Sequence, residues 1–229
     1  MSIVAAPLQK SLWPGSVLAS IAHAIFTCRN PSLAHEQSWD GETYNIQDSA
    51  GSRASVSFVD RGQRYVGVFF YEASDRNPFS GGGEYSLDQF FIGCPRALRD
   101  LANREALQYA LQEYNGKSQP IITAALWADG EGEFVQAAEP WQVANENGAM
   151  LIANQFMDPN AGLKSWQADY DLSDDEVSFI ESIWLRKMAV REDLIRLSKD
   201  ERAFLSRVAS DEDGAEAGWE SFRELGILP

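Results

Sequence analysis

Acidic side chains beside predicted β-strands are the residues of this chain best suited to chemistry. Asp60 precedes one predicted strand, and Glu72 and Asp75 follow it. Two carboxyl groups at a defined separation can serve as general acid and as base or nucleophile in glycoside hydrolysis. Aromatic side chains that could stack on a sugar are Trp39, Tyr44 and Tyr65. The pattern supports one hypothesis, a carboxylate-dependent hydrolase with a cleft beside a sheet.

Histidine, cysteine and glycine patterns argue against other catalytic classes. The chain has two histidines and no G-x-S-x-G motif, which disfavours a Ser–His nucleophile. His35 and its acidic neighbours match neither H-E-x-x-H nor a Cys–His zinc spacing. The glycines at 81–83 are followed by Glu84 instead of Lys, which disfavours a phosphate-binding loop. We therefore predict no catalytic residue, no metal ligand and no cofactor.

The charge balance points to a protein partner. The chain of 229 residues carries 19 Lys and Arg against 34 Asp and Glu, a formal net charge of −15. Such a surface repels nucleic acids and anionic membranes, and it attracts basic proteins by electrostatic steering. The residues predicted to contact a basic partner are Trp39, Asp40, Tyr44, Asp60, Glu72 and Asp75. In the alternative interpretation, the acidity only maintains solubility.

The strands that must position these residues are predicted from alternation and turn residues. Residues 54–59 alternate apolar and polar side chains, and residues 65–71 are apolar on both faces, so the second strand should be central and covered on both sides. Short runs at 44–47, 121–128 and 134–137 complete the set. The short connections favour an antiparallel meander. The predicted fold class is α+β, with a sheet of about five strands flanked by helices.

Helices are predicted from capping signals and apolar stripes. Ser16 is expected to cap a helix that ends near Arg29, with His23 off its apolar stripe and at the surface or at the rim of the buried face. A second helical region is expected to begin at Pro95, with a kink or a division into two helices near Asn103, and with Asn115 and Gly116 as its stop. Capping signals at Ser173 and Ser198 and an acidic run at 210–213 predict three C-terminal helices. The expected domains are a mixed core, 1–165, and a helical segment, 171–229, packed on it.

The expected compartment is the cytoplasm. Cys28 and Cys94 have no metal or redox spacing, which is typical of reduced, space-filling thiols, although the sequence leaves a disulfide between them open. Pro14 and Gly15 interrupt the apolar N-terminal run, so we expect no signal peptide. No stretch is expected to be long enough to span a membrane.

The favoured functional hypothesis is a non-catalytic, acidic, cytoplasmic binding protein that inhibits or accompanies a basic protein. Its most concrete form is a bacterial toxin-neutralising immunity protein. The hydrolase remains an alternative, and so does a scaffold subunit with an apolar patch on its C-terminal helices. The oligomeric state and the identity of the partner stay open.

Overall fold

A computed structural model describes residues 6–80, 84–190 and 194–229. The predicted glycine loop at 81–83 lies outside the described residues. The chain folds into two compact units: Met1–Leu12 with Glu42–Phe156, here called unit 1, and Trp13–Gly41 with Met157–Pro229, here called unit 2. The predicted domains are 1–165 and 171–229. That division places the segment 13–41 with the sheet, whereas in the structure this segment belongs with the C-terminal helices.

Nine short strands are present in the described part of the chain. They are β1 (Gln37–Asp40), β2 (Thr43–Gln47), β3 (Arg53–Val59), β4 (Arg64–Phe70), β5 (Leu111–Tyr114), β6 (Lys117–Pro120), β7 (Ala124–Ala128), β8 (Ile195–Arg196) and β9 (Ile227–Leu228). The main sheet is antiparallel and contains five of them, β1 to β4 and β7. The predicted α+β class with about five antiparallel strands is thereby confirmed.

The described residues also form seven α-helices. They are α1 (Leu12–Arg29), α2 (Arg96–Arg104), α3 (Trp141–Glu146), α4 (Pro159–Asp169), α5 (Asp174–Ala189), α6 (Lys199–Val208) and α7 (Glu212–Glu224). Short 3-10 helices occur at Gln9–Ser11, Pro31–Glu36, Leu87–Phe91, Ala106–Ala110, Ala149–Ile152 and Asn154–Phe156. The three predicted C-terminal helices are α5, α6 and α7.

Unit 1 is organised around β4, the strand predicted to be covered on both faces. It pairs with β3 on one side and β7 on the other, and its residues from Tyr65 to Phe70 are all buried. One core layer of this unit joins Val66 and Val68 to Phe90, Leu98 and Trp127. The segment after β7 folds back as predicted, because Trp127 and Gln136 exchange backbone hydrogen bonds of 2.8 and 2.9 Å.

One predicted helix of unit 1 is a hairpin in part. Helix α2 ends at Arg104, and β5 and β6 then pair across Asn115 and Gly116. Both turn residues have positive φ, 52° and 72°, as a two-residue type I′ turn requires. Asn-Gly was interpreted as a helix stop, but the same dipeptide is the strongest short signal for a hairpin.

Unit 2 is built on α1, which begins earlier than predicted. Pro14 lies in its first turn, where a missing N–H breaks no intrahelical bond, so the helix starts at Leu12 and not at Ser16. Its core contains Ile21 and Ile25 of α1, Ile180 and Ile183 of α5, and Phe222 of α7. Capping boxes at Ser173 with Glu176 and at Ser198 with Glu201 confirm the predicted helix starts.

The expectation that no stretch is long enough to span a membrane is wrong. One helix has the length and the apolar composition to do so. The 21-residue stretch Gln9–Arg29 passes that test, and 78% of its most apolar window is buried inside the protein. A buried core helix of a soluble protein and a signal sequence near the N-terminus pass the same test.

Candidate functional site

The six predicted contact residues divide between the two units. Trp39 and Asp40 belong to β1 in unit 2, and the other four belong to unit 1. Tyr44 is fully buried, and its hydroxyl accepts a hydrogen bond of 3.2 Å from Nε2 of Gln155. This position gives the Tyr44 ring a packing role in unit 1, since contact with a partner would require exposure.

The length of β4 separates Asp60 from the other two predicted cleft acids of unit 1. Asp60 lies in the turn before β4 and forms an ion pair of 2.7 Å with Arg64, whereas Glu72 and Asp75 follow the other end of the strand. A seven-residue strand spans roughly 20 Å, more than the roughly 5–10 Å that separates paired catalytic carboxyls in glycosidases. Asp60 therefore cannot work with Glu72 or Asp75 as an acid–base pair. All three side chains are exposed.

Helix α7 of unit 2 carries two opposite rows of residues at a spacing of four. The outer row, here called the α7 glutamate row, is Glu212, Glu216, Glu220 and Glu224. The inner row contains Gly214, Gly218 and Phe222, all buried. Because two residues correspond to about 200° of rotation, rows offset by two positions point in opposite directions.

The inner row holds α7 very close to α1. A Cβ atom added at Gly214 would overlap the backbone oxygen of Cys28, and one added at Gly218 would overlap the Cys28 Sγ. Asp211 caps the start of the helix, and its carboxylate accepts a hydrogen bond of 2.8 Å from the backbone N–H of Gly214. The glutamate row is thus fixed by glycine contacts on the reverse side of the same helix.

Trp39 connects β1 to both α1 and α7. Its backbone N–H donates to Oε2 of Glu224 at 2.8 Å, and its indole Nε1–H donates to Oγ of Ser20 at 2.8 Å. The Ser20 hydroxyl in turn donates to the backbone oxygen of Ser16 at 2.9 Å. The two predicted contact residues of β1 are therefore adjacent to the C-terminal end of the glutamate row.

A small cleft lies where these groups meet, here called the His23 cleft. It is lined by Ser20, His23, Gln37, Ser38, Trp39, Ser221 and Glu224. Its volume of about 10 Å³ is close to what one water molecule needs.

His23 is the unusual member of this cleft. Its side chain is 1% exposed, so the prediction of a surface histidine is wrong, and neither ring nitrogen has a well-formed hydrogen bond. Burial lowers the pKa of His23 from 6.5 to about 4, although the nearby backbone oxygens of Ala34 and Leu33 oppose part of that shift. The rings of Phe26 and Tyr170 each lie 6.0 Å from the imidazole. At neutral pH the imidazole is therefore uncharged, with one nitrogen available as an acceptor.

The other polar groups of the cleft are mostly acceptors. The hydroxyl protons of Ser20 and Ser221 are donated to backbone oxygens of Ser16 and Ala217, at 2.9 and 3.1 Å. Their oxygens, the neutral imidazole and the Glu224 carboxylate thus offer lone pairs. Because the Ser20 hydroxyl donates to Ser16 and not to His23, the arrangement is not that of a serine nucleophile with its base. It suits a small cationic group with several N–H donors.

Like charges crowd at the end of the glutamate row. The pKa of Glu224 is raised, first by burial and then by the charges of Glu220 and Asp40, against the lowering effect of the Trp39 N–H. Arg223 is engaged by Glu216 at 2.7 Å. Among the ion pairs of the described residues, none includes Glu220 or Glu224.

No group of three or more His, Cys, Asp or Glu side chains suited to a metal ion occurs in the described ranges. No protein-family model, curated protein or solved structure shows a significant match to this chain. The roles proposed for the residues of unit 2 therefore follow from their own chemistry and surroundings.

The glutamate row and the His23 cleft were missed in the sequence. The row had a visible signal, because glutamates four residues apart lie on one side of a helix, where like charges repel each other. The burial of His23 had no local signal. It depends on α1 being enclosed by other elements around its whole circumference.

Proposed function

We propose that this protein is a non-catalytic acidic binding protein that holds a basic segment of a partner protein at the α7 glutamate row and the His23 cleft. Inhibition or escort of that partner is the resulting activity. The most concrete form is an immunity protein that neutralises a basic bacterial toxin. The observation that carries the proposal is the crowding of like charges around Glu224, whose pKa is raised by burial and then by the charges of Glu220 and Asp40.

Crowding of carboxylates supports a cationic partner because it is unfavourable in the isolated protein. Like charges at a spacing of four on a helix cost about 0.2–0.5 kcal/mol for each pair. A cation placed between Glu220 and Glu224 would remove that repulsion and gain attraction from both. The pKa of Glu224 would then fall towards its ordinary range, so that binding of the cation and release of a proton are coupled.

The His23 cleft supports a lysine as the anchoring side chain. An ammonium group is similar in size to a water molecule and has three N–H donors. Three acceptors on the cleft wall, from His23, Ser221 and Glu224, can each take one of these donors, whereas the Ser20 oxygen already accepts from the Trp39 indole. A guanidinium is planar and larger than the cleft admits, so arginine residues of the partner would bind along the outer glutamates instead.

The exposed acids of unit 1 support a role in association rate. Asp60, Glu72 and Asp75 are at the surface. Each of these charges acts on an approaching basic protein that comes within the screening length, about 8 Å at physiological salt, and so adds to the attraction. Such charges raise the association rate more than they slow dissociation.

A cytoplasmic location is part of the proposal. Cys28 and Cys94 are both free thiols. Burial raises the pKa of each to about 11, so both are poorly reactive space-filling groups. This is the state of cysteines in a reducing compartment.

Affinity capture with a matched pair of variants tests the function. Wild type, Glu220→Gln/Glu224→Gln and the control Asp174→Asn/Asp175→Asn are each used at low salt to capture proteins from the native host, followed by mass spectrometry. The control removes two charges from the exposed first turn of α5. A basic protein captured stoichiometrically by wild type and control, and lost with the α7 variant, is the expected result.

Kinetics with that partner complete the test. The association rate should fall steeply as salt rises, and by about tenfold with the α7 variant, because steering depends on screened charge. Equal capture by both variants, or an association rate independent of salt, would refute the proposed surface.

A further inference from the structure

Three hydrogen bonds in unit 2 link Glu224 to α1 through Trp39, and they are here called the Trp39 relay. The backbone N–H of Trp39 donates to Oε2 of Glu224 at 2.8 Å, and its indole Nε1–H donates to Oγ of Ser20 at 2.8 Å. The Ser20 hydroxyl then donates to the backbone oxygen of Ser16 at 2.9 Å. Ser20, Trp39 and Glu224 also line the His23 cleft, so the relay runs along the wall of the proposed binding site.

The direction of every bond in the relay is fixed by the groups that form it. The backbone and indole N–H groups of Trp39 can only donate. The Ser20 hydroxyl gives its proton to the backbone oxygen of Ser16, one turn earlier on α1, so the Ser20 oxygen serves the indole as an acceptor. Ser16 and Ser20 are both buried, at 0% and 5% exposed, so the relay begins on a packed helix.

The Glu224 carboxylate, at the other end of the relay, is in an unfavourable electrostatic environment. Burial and the charges of Glu220 and Asp40 raise its pKa, and the hydrogen bond from the Trp39 N–H is the opposing cause that lowers it. A glutamate side chain on a helix has several accessible rotamers. Repulsion from the neighbouring acids favours the rotamers that turn away, whereas the bond to Trp39 holds Oε2 against β1.

The relay also engages two hydrogen-bond donors that would oppose the binding of a cation. The backbone and indole hydrogens of Trp39 are both given to acceptors of the protein, Oε2 of Glu224 and Oγ of Ser20. A free N–H on the cleft wall would repel an ammonium group, which has donors and no acceptor. The bonds of the relay therefore keep the donors of Trp39 from competing for the acceptors that the cleft offers.

We propose that Ser20 and Trp39 are positioning residues for the basic side chain that the His23 cleft binds. Trp39 holds the Glu224 carboxylate through its backbone N–H, and Ser20 holds Trp39 through the indole. This inference rests on the proposed function and names two residues that determine how tightly the cation is bound. Without the bond to Ser20, the indole turns towards another acceptor, because an unpaired N–H that is shielded from water is costly. The backbone N–H of Trp39 then no longer holds the carboxylate.

A double-mutant cycle on the full chain tests the relay. Ser20→Ala removes the acceptor of the indole, and Trp39→Phe removes the indole N–H but retains an aromatic ring. The probe is a tetralysine peptide blocked at both ends, and calorimetry at low salt measures its affinity. Each single variant should lose roughly three- to tenfold in affinity, as expected when one flexible side chain must be ordered on binding. The double variant should lose no more than Trp39→Phe alone, because both substitutions remove the same hydrogen bond.

Ser178→Ala on α5 is the matched control. The Ser178 hydroxyl also donates to a backbone oxygen four residues earlier, that of Asp174, at 2.8 Å, and Ser178 does not line the cleft. This variant should bind the peptide within about twofold of wild type. Urea unfolding of each variant verifies that it is folded. Losses that add up in the double variant, or an equal loss in Ser178→Ala, would overturn the relay.

The pKa of Glu224, measured from the NMR signal of its carboxyl carbon, is a readout that a merely structural role of Ser20 would not move. Because the Trp39 N–H lowers that pKa, Ser20→Ala should raise it further, and Ser178→Ala should not change it. An unchanged pKa in Ser20→Ala overturns the positioning role even if the peptide binds. Equal peptide affinity of wild type and Glu220→Gln/Glu224→Gln refutes the proposed function, and the positioning role falls with it. The two failures are distinguishable, because only in the second does the Glu224 pKa still respond to Ser20→Ala.

Discussion

Thr123 in unit 1 and His23 in unit 2 are both buried polar side chains, 0% and 1% exposed, with opposite surroundings. The Thr123 hydroxyl accepts the backbone N–H of Tyr71 at 2.9 Å and lies 2.6 Å from the backbone oxygen of Asn147. The two nitrogens of His23 have no well-formed partner. The protein itself supplies the hydrogen-bond partners of Thr123, but it supplies none with good geometry to His23.

The comparison indicates a structural role for Thr123 and supports the binding role proposed for His23. The side chain of Asn147 extends the Thr123 network by accepting from Ser74 at 2.5 Å and donating to Val143 at 2.8 Å, which ties the end of β4 to α3. A satisfied buried network of this kind specifies a fold. An unsatisfied group beside a cleft weakens the fold of the isolated protein, and it is explained if another molecule supplies the missing hydrogen bond.

The largest expected effect is the dependence of the unfolding free energy on pH that His23 causes. The pKa in the folded protein, about 4, is below the ordinary value of 6.5, so the unfolded chain takes up the proton first as the pH falls. Above pH 6.5 the buried, neutral His23 does not lower the free energy of unfolding. As the pH falls from 6.5 towards 4, protonation of the unfolded chain lowers that free energy progressively. Over that window wild type should lose about 3 kcal/mol of unfolding free energy relative to His23→Leu.

Urea unfolding at several pH values measures this difference, and comparison with His23→Leu cancels the contributions of other groups. A histidine that titrates near its ordinary pKa in the NMR spectrum of the folded protein and is assigned to position 23 would contradict the buried, neutral imidazole.

A smaller loss is expected for Thr123→Val. The substitution keeps the shape but leaves the partly buried N–H of Tyr71 without its acceptor, so about 1–2 kcal/mol of unfolding free energy should be lost. The matched control is Thr27→Val on α1, a buried threonine whose hydroxyl only donates to the oxygen of Ala24 within the same helix, at 3.0 Å. Chemical denaturation measures both variants. Equal losses at the two positions would mean that the Thr123 network is not special.

The smallest expected effect is a gain from Glu224→Gln. Removing one like charge while keeping an acceptor for Trp39 should raise the unfolding free energy by about 0.5 kcal/mol at neutral pH. The raised pKa of Glu224 means that the folded carboxyl is protonated first as the pH falls, so the gain should vanish on going from that raised pKa to below 4.5.

Glu216→Gln is the control for that gain, because it loses the ion pair with Arg223 and should not stabilise the protein. Stabilisation of equal size in both variants would show that net charge, and not the crowding at Glu224, is responsible.

Much of the sheet was predictable, because local patterns determine it. The alternation in β3 and the two apolar faces of β4 gave the correct strands, and the Ser173 and Ser198 capping boxes gave the correct helix starts. The hairpin at Asn115 was missed because one dipeptide serves both as a helix stop and as a type I′ turn.

The site was less predictable, because tertiary packing creates it. Buried residues surround α1 on all sides, so an apolar stripe does not define its inner face, and His23 is buried although it lies off that stripe. Trp39 and Asp40 were selected as contacts for their types alone. Their proximity to Glu224 depends on residues nearly two hundred positions apart in sequence, and no local pattern contains it.

The glycine contacts of α7 also limit how the helix can move. Since Gly214 and Gly218 lie directly against Cys28, any rotation of α7 about its own axis would drive Ala215, Ala217 or a larger neighbour into α1. These contacts restrict rotation of the α7 backbone, so the Cα–Cβ bonds of the four glutamates keep one direction relative to α1. A partner would meet a rigid row of charges spaced by roughly 6 Å. Little backbone conformational entropy would therefore be lost by α7 when a complex forms.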